Sequence, residues 1–163
     1  QLSTKTTQFN LGLNGLSEKE LSRRLKSENF ASVAIWLEDR LSDSGLIGIV
    51  SGKFEMNRLL IDELCISCRA LGRELEDHMV SSALLLISQK FEIHEISFQY
   101  QKGARNEPIR KWLRSYTGLD FEQESGQTTM DWNREYMISK SAEFPVETEV
   151  VNSAGTGNGN AEK

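Results

Sequence analysis

Between Leu59 and Ser115 the chain alternates strand-like and helix-like stretches, and this order constrains its fold more than any other feature. Leu59 to Ser67 mixes carboxylates with apolar residues in the manner of a strand buried over most of its surface. It passes through a Gly-containing turn into Leu75, Met79, Ala83, Leu86 and Ile87, whose three- and four-residue steps predict an amphipathic helix reaching about Phe91. Glu95 to Tyr100 then alternates as a strand. Glu107 to Ser115 reads as a helix with Pro108 in its first turn. Strand, helix, strand and helix therefore follow in order, and a sheet flanked by helices accommodates them.

The flanking segments fit the same α/β scheme. Ser17, with Glu20 three residues on, is a cap signal for a helix running to about Lys26. Phe30 to Glu38 and Gly45 to Phe54 are rich in Val, Ile, Leu and aromatics and are split by a polar turn, as in two antiparallel strands. A last pair of short strands is expected around Asp120 to Glu124 and Trp132 to Ile138. After Pro145 the composition shifts to Ser, Thr, Gly, Asn and Glu, too little apolar surface to offset ordering entropy. Residues 1–140 are therefore expected to form one domain and 141–163 a disordered polar tail. The alternative is that the tail docks as a final strand through Phe144 and Val146.

A chain of 163 residues with 38% hydrophobic residues supplies one core. Its formal charge of −5 argues against a general nucleic-acid or anionic-membrane binder. No apolar run is long enough to span a bilayer, and the first residues lack a signal-peptide core, so a soluble, cytoplasmic protein is expected. The polar start without Met suggests a piece of a longer polypeptide. Two cysteines, Cys65 and Cys68, suit reduced thiols rather than a disulfide scaffold. Three residues apart on a strand they face opposite ways, and His78 and His94 add no metal spacing, so no metal is expected. His78 reads as a solvated surface residue.

Chemistry is concentrated in Cys65-Ile66-Ser67-Cys68-Arg69-Ala70-Leu71-Gly72-Arg73-Glu74-Leu75, where strand turns into helix. Free amides and a helix dipole there favour an anion, and Arg69 and Arg73 add charge. The segment resembles the Arg-x-x-Gly-x pyrophosphate loop of GNAT acyltransferases, with Arg69 and Gly72 matching and Glu74 standing where those enzymes have Gly or Ala. Ala104 to Trp112, followed by Tyr116 to Phe121, resembles the GNAT stretch in which an Asn opens a helix beside the cofactor. Asn106 is the corresponding cap. Leu113 occupies the position of the usual Tyr acid.

Read together, Lys5 to Leu11, Asp39-Arg40 with Gly45 to Gly48, and Ser67 to Arg73 resemble the C-terminal domain of FkbH-like proteins. That family joins a HAD-like phosphatase domain to a GNAT-like domain and loads a glyceryl group from bisphosphoglycerate onto an acyl carrier protein in polyketide pathways. The resemblance implies a GNAT-like acyltransferase fold with a mixed, mainly antiparallel central sheet flanked by helices. It implies a phosphopantetheine arm, of an acyl carrier protein or of CoA, bound by Arg69, Ala70, Leu71, Gly72, Arg73 and Asn106 in an open cleft. It also implies a HAD-like partner domain on the parent chain. Cys68, ending the strand before the loop, is the candidate to hold an acyl group transiently, and Glu63, with Asp62 beside it, the candidate base. Each has a plain structural alternative: a packing cysteine, and a polar strand contact. Two further readings stand beside acyl transfer: a carrier-docking module without chemistry, and a CoA-dependent N-acetyltransferase. Lys102, Arg105, Arg110, Lys111 and Arg114 are the expected basic face for an acidic carrier.

Overall fold

In the computed structural model, which describes residues 2, 8–39, 42–71, 74–141 and 148–150, helix α1 (Glu18–Leu25) starts where the cap signal lies. Ser17 Oγ accepts from the Glu20 amide at 3.1 Å. The Glu20 carboxylate does not return to the cap; it accepts from Arg23 at 2.7 Å and from Arg24 at 2.9 Å. Arg24 is buried and reaches on to Asp62 at 2.6 and 2.7 Å and to Ser51 Oγ at 3.1 Å. Both guanidinium groups lie over the Phe30 ring, 5.0 and 4.9 Å from its centroid. This charged, hydrogen-bonded bundle fastens α1 to the sheet.

Strands β1 (Phe30–Asp39), β2 (Ser42–Glu55) and β3 (Arg58–Ile66) form an antiparallel meander. Ser51 lies opposite Glu63 but Gly52 opposite Ile61, so Asp62 is the extra residue of a bulge. Gly52 belongs there because a Cβ would run into the Leu60 carbonyl. Helix α2 (Glu76–Ser88) crosses over to β4 (Glu95–Gln101), which pairs parallel with β3. Helix α3 (Glu107–Thr117) and strand β5 (Ser125–Asp131), antiparallel to β4, follow. Helix α4 (Arg134–Ser141) packs on α2, and β6 (Thr148–Val150) pairs with β1. The sheet order is β5-β4-β3-β2-β1-β6.

Three expectations are corrected here. Asp120 to Glu124 carries no strand; the edge strand is the polar Ser125–Asp131, whose composition hides it. Trp132 to Ile138 is not a strand but leads into α4, where Asn133 Oδ1 accepts from the Tyr136 amide at 2.9 Å. His78 is buried rather than solvated, because α2 is covered by the sheet on one side and α4 on another. Within the segment expected to be a disordered tail, Thr148–Val150 forms β6. Phe144 and Val146, the expected docking residues, lie outside the described residues.

Candidate functional site

The pairing of β3 with β4 covers only Arg58–Ile61 against Glu95–Phe98. Beyond it the strands part, leaving a gap between the Cys68 turn at the end of β3 and Asn106 at the start of α3. That is where an open cleft for the pantetheine arm is expected, and it is filled by the chain itself. Phe9 O accepts from the Ile66 amide at 2.9 Å, the Leu11 amide donates to Leu64 O at 3.0 Å, and Leu11 O accepts from the Gln101 amide at 2.9 Å. Residues 9–11 thus bridge the parted strands with backbone bonds to both.

Their side chains are equally built in. Phe9 and Leu11 are 3% and 1% exposed, and the Phe9 ring lies 5.5 Å from that of Trp112. Burying a side chain of this size stabilises by about 1.5–3 kcal/mol. Gly12 continues past the bulge, where a Cβ would meet Asp62 O at 2.7 Å. Of the Lys5 to Leu11 stretch, recognised in the sequence only as part of a family resemblance, residues 9–11 thus form an integral bridging segment, and residues 5–7 lie outside the described residues.

Asn106 is fully buried at this junction. It stands at the N-cap position of α3 but makes no side-chain cap bond. Its Nδ2 donates to Asn10 O at 3.0 Å and Gln101 O at 2.7 Å, while its Oδ1 accepts from the Gly103 amide at 2.7 Å. The carboxamide expected to reach a cofactor instead ties residue 10 to the end of β4. Leu113, in the position of the usual acid, is core. Tyr116 is buried with its hydroxyl 2.6 Å from Ser81 Oγ, and burial pushes its phenol well above the ordinary range.

The turn after β3 remains accessible. Ala70 N donates to Ser67 O at 2.9 Å, shaping a tight turn that leaves Cys68 and Arg69 exposed. Arg69 lies by the strand ends, its Nη2 3.5 Å from Leu46 O, and Leu46 is the cross-strand partner of Trp36. Both are large apolar residues on the surface. Cys65 is the opposite case: buried, with its thiol pushed up to about 12 by desolvation first and by Glu63 second. Glu63 is buried, and three residues of extended strand, roughly 10 Å, separate it from the end of β3. The structure does not bring Glu63 to Cys68. Asp62, the alternative base, is committed to Arg24.

The expected anion site is described only in part. Gly72 and Arg73 lie outside the described residues, and Ala70 is buried. Helix α2 begins only at Glu76, eight residues after Cys68, so its dipole does not act directly on that thiol. Glu74, Glu76 and Asp77 surround the helix start, and Asp77 accepts from Trp112 Nε1 and pairs with Lys140, both at 2.8 Å. Carboxylates thus gather at the start of α2, next to the turn where a phosphate is expected.

The basic face is likewise largely spent. Arg110 is 3% exposed, held by Glu107 at 3.2 Å and Gln123 O at 2.9 Å. Arg114 pairs with Glu107 at 3.1 Å, and Lys102 with Glu124 at 3.4 Å. Arg105 and Lys111 are exposed. No helix among the described residues is long and apolar enough to cross a membrane.

An antiparallel meander, a crossover helix, a parallel strand that splays from the meander, then a helix and an antiparallel edge strand define a GNAT-like α/β fold. No family model and no curated protein matches the chain. Among solved structures it is similar to a domain from Methanocaldococcus jannaschii, at 15% identity and a TM-score of 0.52 over 71% of this chain and 75% of that one. It is also similar to the PaiA N-acetyltransferase of Thermoplasma acidophilum in complex with coenzyme A, at 16% identity and a TM-score of 0.42 over 56% and 57%. A third is Tetrahymena GCN5, at 11% identity and a TM-score of 0.44 over 73% and 78%. The first likeness is one of fold alone; the other two, with lower scores, add nothing about chemistry.

Proposed function

We propose that this chain is the GNAT-like domain of an FkbH-like protein, receiving a phosphopantetheine arm at its surface to assist glyceryl or other acyl transfer to an acyl carrier thiol. The observation that carries this reading is the filling of the β3–β4 gap by residues 9–11, which removes the internal cleft while leaving the Cys68–Arg69 turn accessible. The arm lies across the turn, its apolar stretch against Trp36 and Leu46 and its phosphate toward Arg69. A carrier-borne arm suits this surface better than CoA, whose larger negative charge meets Glu74, Glu76 and Asp77.

The chemistry assigned to Cys68 is thiol exchange. Its sulfur attacks the carbonyl of an incoming acyl thioester, the carbon–sulfur bond to the donor breaks, and the departing thiolate takes the proton that Cys68 gives up. A second carrier thiol then reverses the step. The burial of Glu63 away from Cys68 favours a second reading, in which the domain docks the carrier for a HAD-like partner domain and does no bond-making itself.

Incubation with a glyceryl-loaded carrier protein, followed by intact-mass analysis, tests both readings. Transfer predicts an acyl adduct on Cys68 that is absent in Cys68→Ser. Carrier binding without an adduct selects the docking reading. Failure of holo carrier and CoA alike to bind overturns the proposal.

A further inference from the structure

Helix α1 lies on the sheet without joining the apolar core. Of its side chains only Arg24 is buried. Leu21 and Leu25, with Leu16 ahead of the helix, are half-buried and belong neither to the core nor to the residues packed against it. The attachment runs through one guanidinium. Arg24 reaches both carboxylate oxygens of Asp62 on β3, at 2.7 and 2.6 Å, and Ser51 Oγ on β2 at 3.1 Å, and lies 4.9 Å from the centroid of the Phe30 ring. The proposed function leaves this contact unused.

The ground beneath that contact is polar. Ser51 Oγ, the acceptor from Arg24, is 2.7 Å from Ser32 Oγ, and both serines are buried. The helix can therefore lift without drawing apolar core into water, so the burial that holds most short helices in place contributes little here. The charges separate cleanly as well. Glu20, on α1 itself, accepts from Arg24 Nε at 2.9 Å, so a departing Arg24 takes a counter-ion with it. The Asp62 side chain is already 26% exposed, and opening only completes its hydration. Neither ion is left buried and alone, which is the main cost of breaking a buried pair.

Both ends of the segment are fixed. Residues 9–11 are bonded to β3 and β4, and the Asn29 carbonyl accepts from the Phe54 amide at 2.7 Å. Between residue 11 and α1 the backbone turns through Leu13, at a φ of 57°, and Gly15, at 64°. The left-handed region suits the glycine, but a leucine there is strained, and a change in its backbone angles relieves that strain. We infer that residues 13–28 form a flap, latched shut by the Arg24–Asp62 pair, whose opening bares the Asp62 carboxylate and the Ser32 and Ser51 hydroxyls while the sheet stays intact.

The experiment alkylates Ser32→Cys with iodoacetamide under native conditions and maps the labelled peptides. The introduced thiol reads the uncovering of the ground beneath the flap, and Cys65, buried in β3, reads opening of the sheet itself. Labelling of the introduced thiol while Cys65 stays unlabelled is expected. Hydrogen exchange at the α1 amides is expected to run about a hundredfold or more faster than at Ile66 and Gln101, whose amides are bonded to Phe9 O and Leu11 O. Adding Asp62→Asn raises both the α1 exchange and the labelling at position 32 by about tenfold, as loss of a charge-assisted pair requires. Arg24→Lys, which keeps the charge but loses the fork, shifts both in the same direction and serves if the first variant does not fold. Labelling of the introduced thiol only in step with Cys65 overturns the proposal. So do α1 exchange rates equal to those of Ile66 and Gln101, or α1 rates that neither latch variant changes, which is the mark of simple fraying.

Discussion

Two cysteines three positions apart occupy unlike surroundings, and the difference is measurable. Cys65 sits in β3 with its thiol raised to about 12, while Cys68 is on the surface of the following turn. Because the thiolate is the reactive form, iodoacetamide at neutral pH should add one label to the native chain, on Cys68, and a second only after unfolding. Peptide mapping of the alkylated protein checks this. Asn106 gives a second prediction at the same scale. Its carboxamide serves three backbone groups in a buried junction, so Asn106→Ala should destabilise by about 2–4 kcal/mol in chemical denaturation, with Asn106→Asp also impaired because it cannot donate to Asn10 O and Gln101 O. A residue held only for a cofactor would leave the stability of the free protein unchanged.

At the scale of elements, α1 depends on charges that the sequence disclosed only in part. The Ser17 cap was legible from its spacing, but the carboxylate of Glu20 was not, because Arg24, one of the two arginines that claim it, also answers to Asp62, 38 residues further on. Hydrogen bonds from Arg23 first and Arg24 second hold Glu20 at about 2, below its ordinary 4.5. A carboxyl with a depressed folded value stabilises above its unfolded value and loses that contribution as it is protonated. The gap in melting temperature between the native chain and Glu20→Gln should therefore be full above pH 4.5 and close as the pH falls toward 2. Thermal melts across that range decide it. The central strand, α2, β4 and α3 were readable because their apolar periodicity is strong. β5 and α4 were not: a polar edge strand buries too little to show a pattern, and α4 is announced chiefly by the cap Asn133. Residues 9–11 escaped for a different reason. Three residues carry no periodicity, and their place is set by where β3 and β4 part.

For the whole molecule, the mixed, mainly antiparallel sheet flanked by helices is the expected GNAT-like frame, while the gap where β3 and β4 part is closed by residues 9–11. The site residues divide accordingly. Asn106, Glu63 and Leu113 belong to the interior, and Cys68 and Arg69 to the surface. A titration of the isotope-labelled domain with phosphopantetheinylated carrier protein separates the two groups. Shifts are expected at Trp36, Leu46, Cys68 and Arg69, with the amides of Leu11 and Gln101 unmoved and still protected from hydrogen exchange. Shifts and loss of protection at Leu11, Gln101 and Asn106, with the Cys68 turn unaffected, would mean that the arm enters between β3 and β4 and would contradict this division.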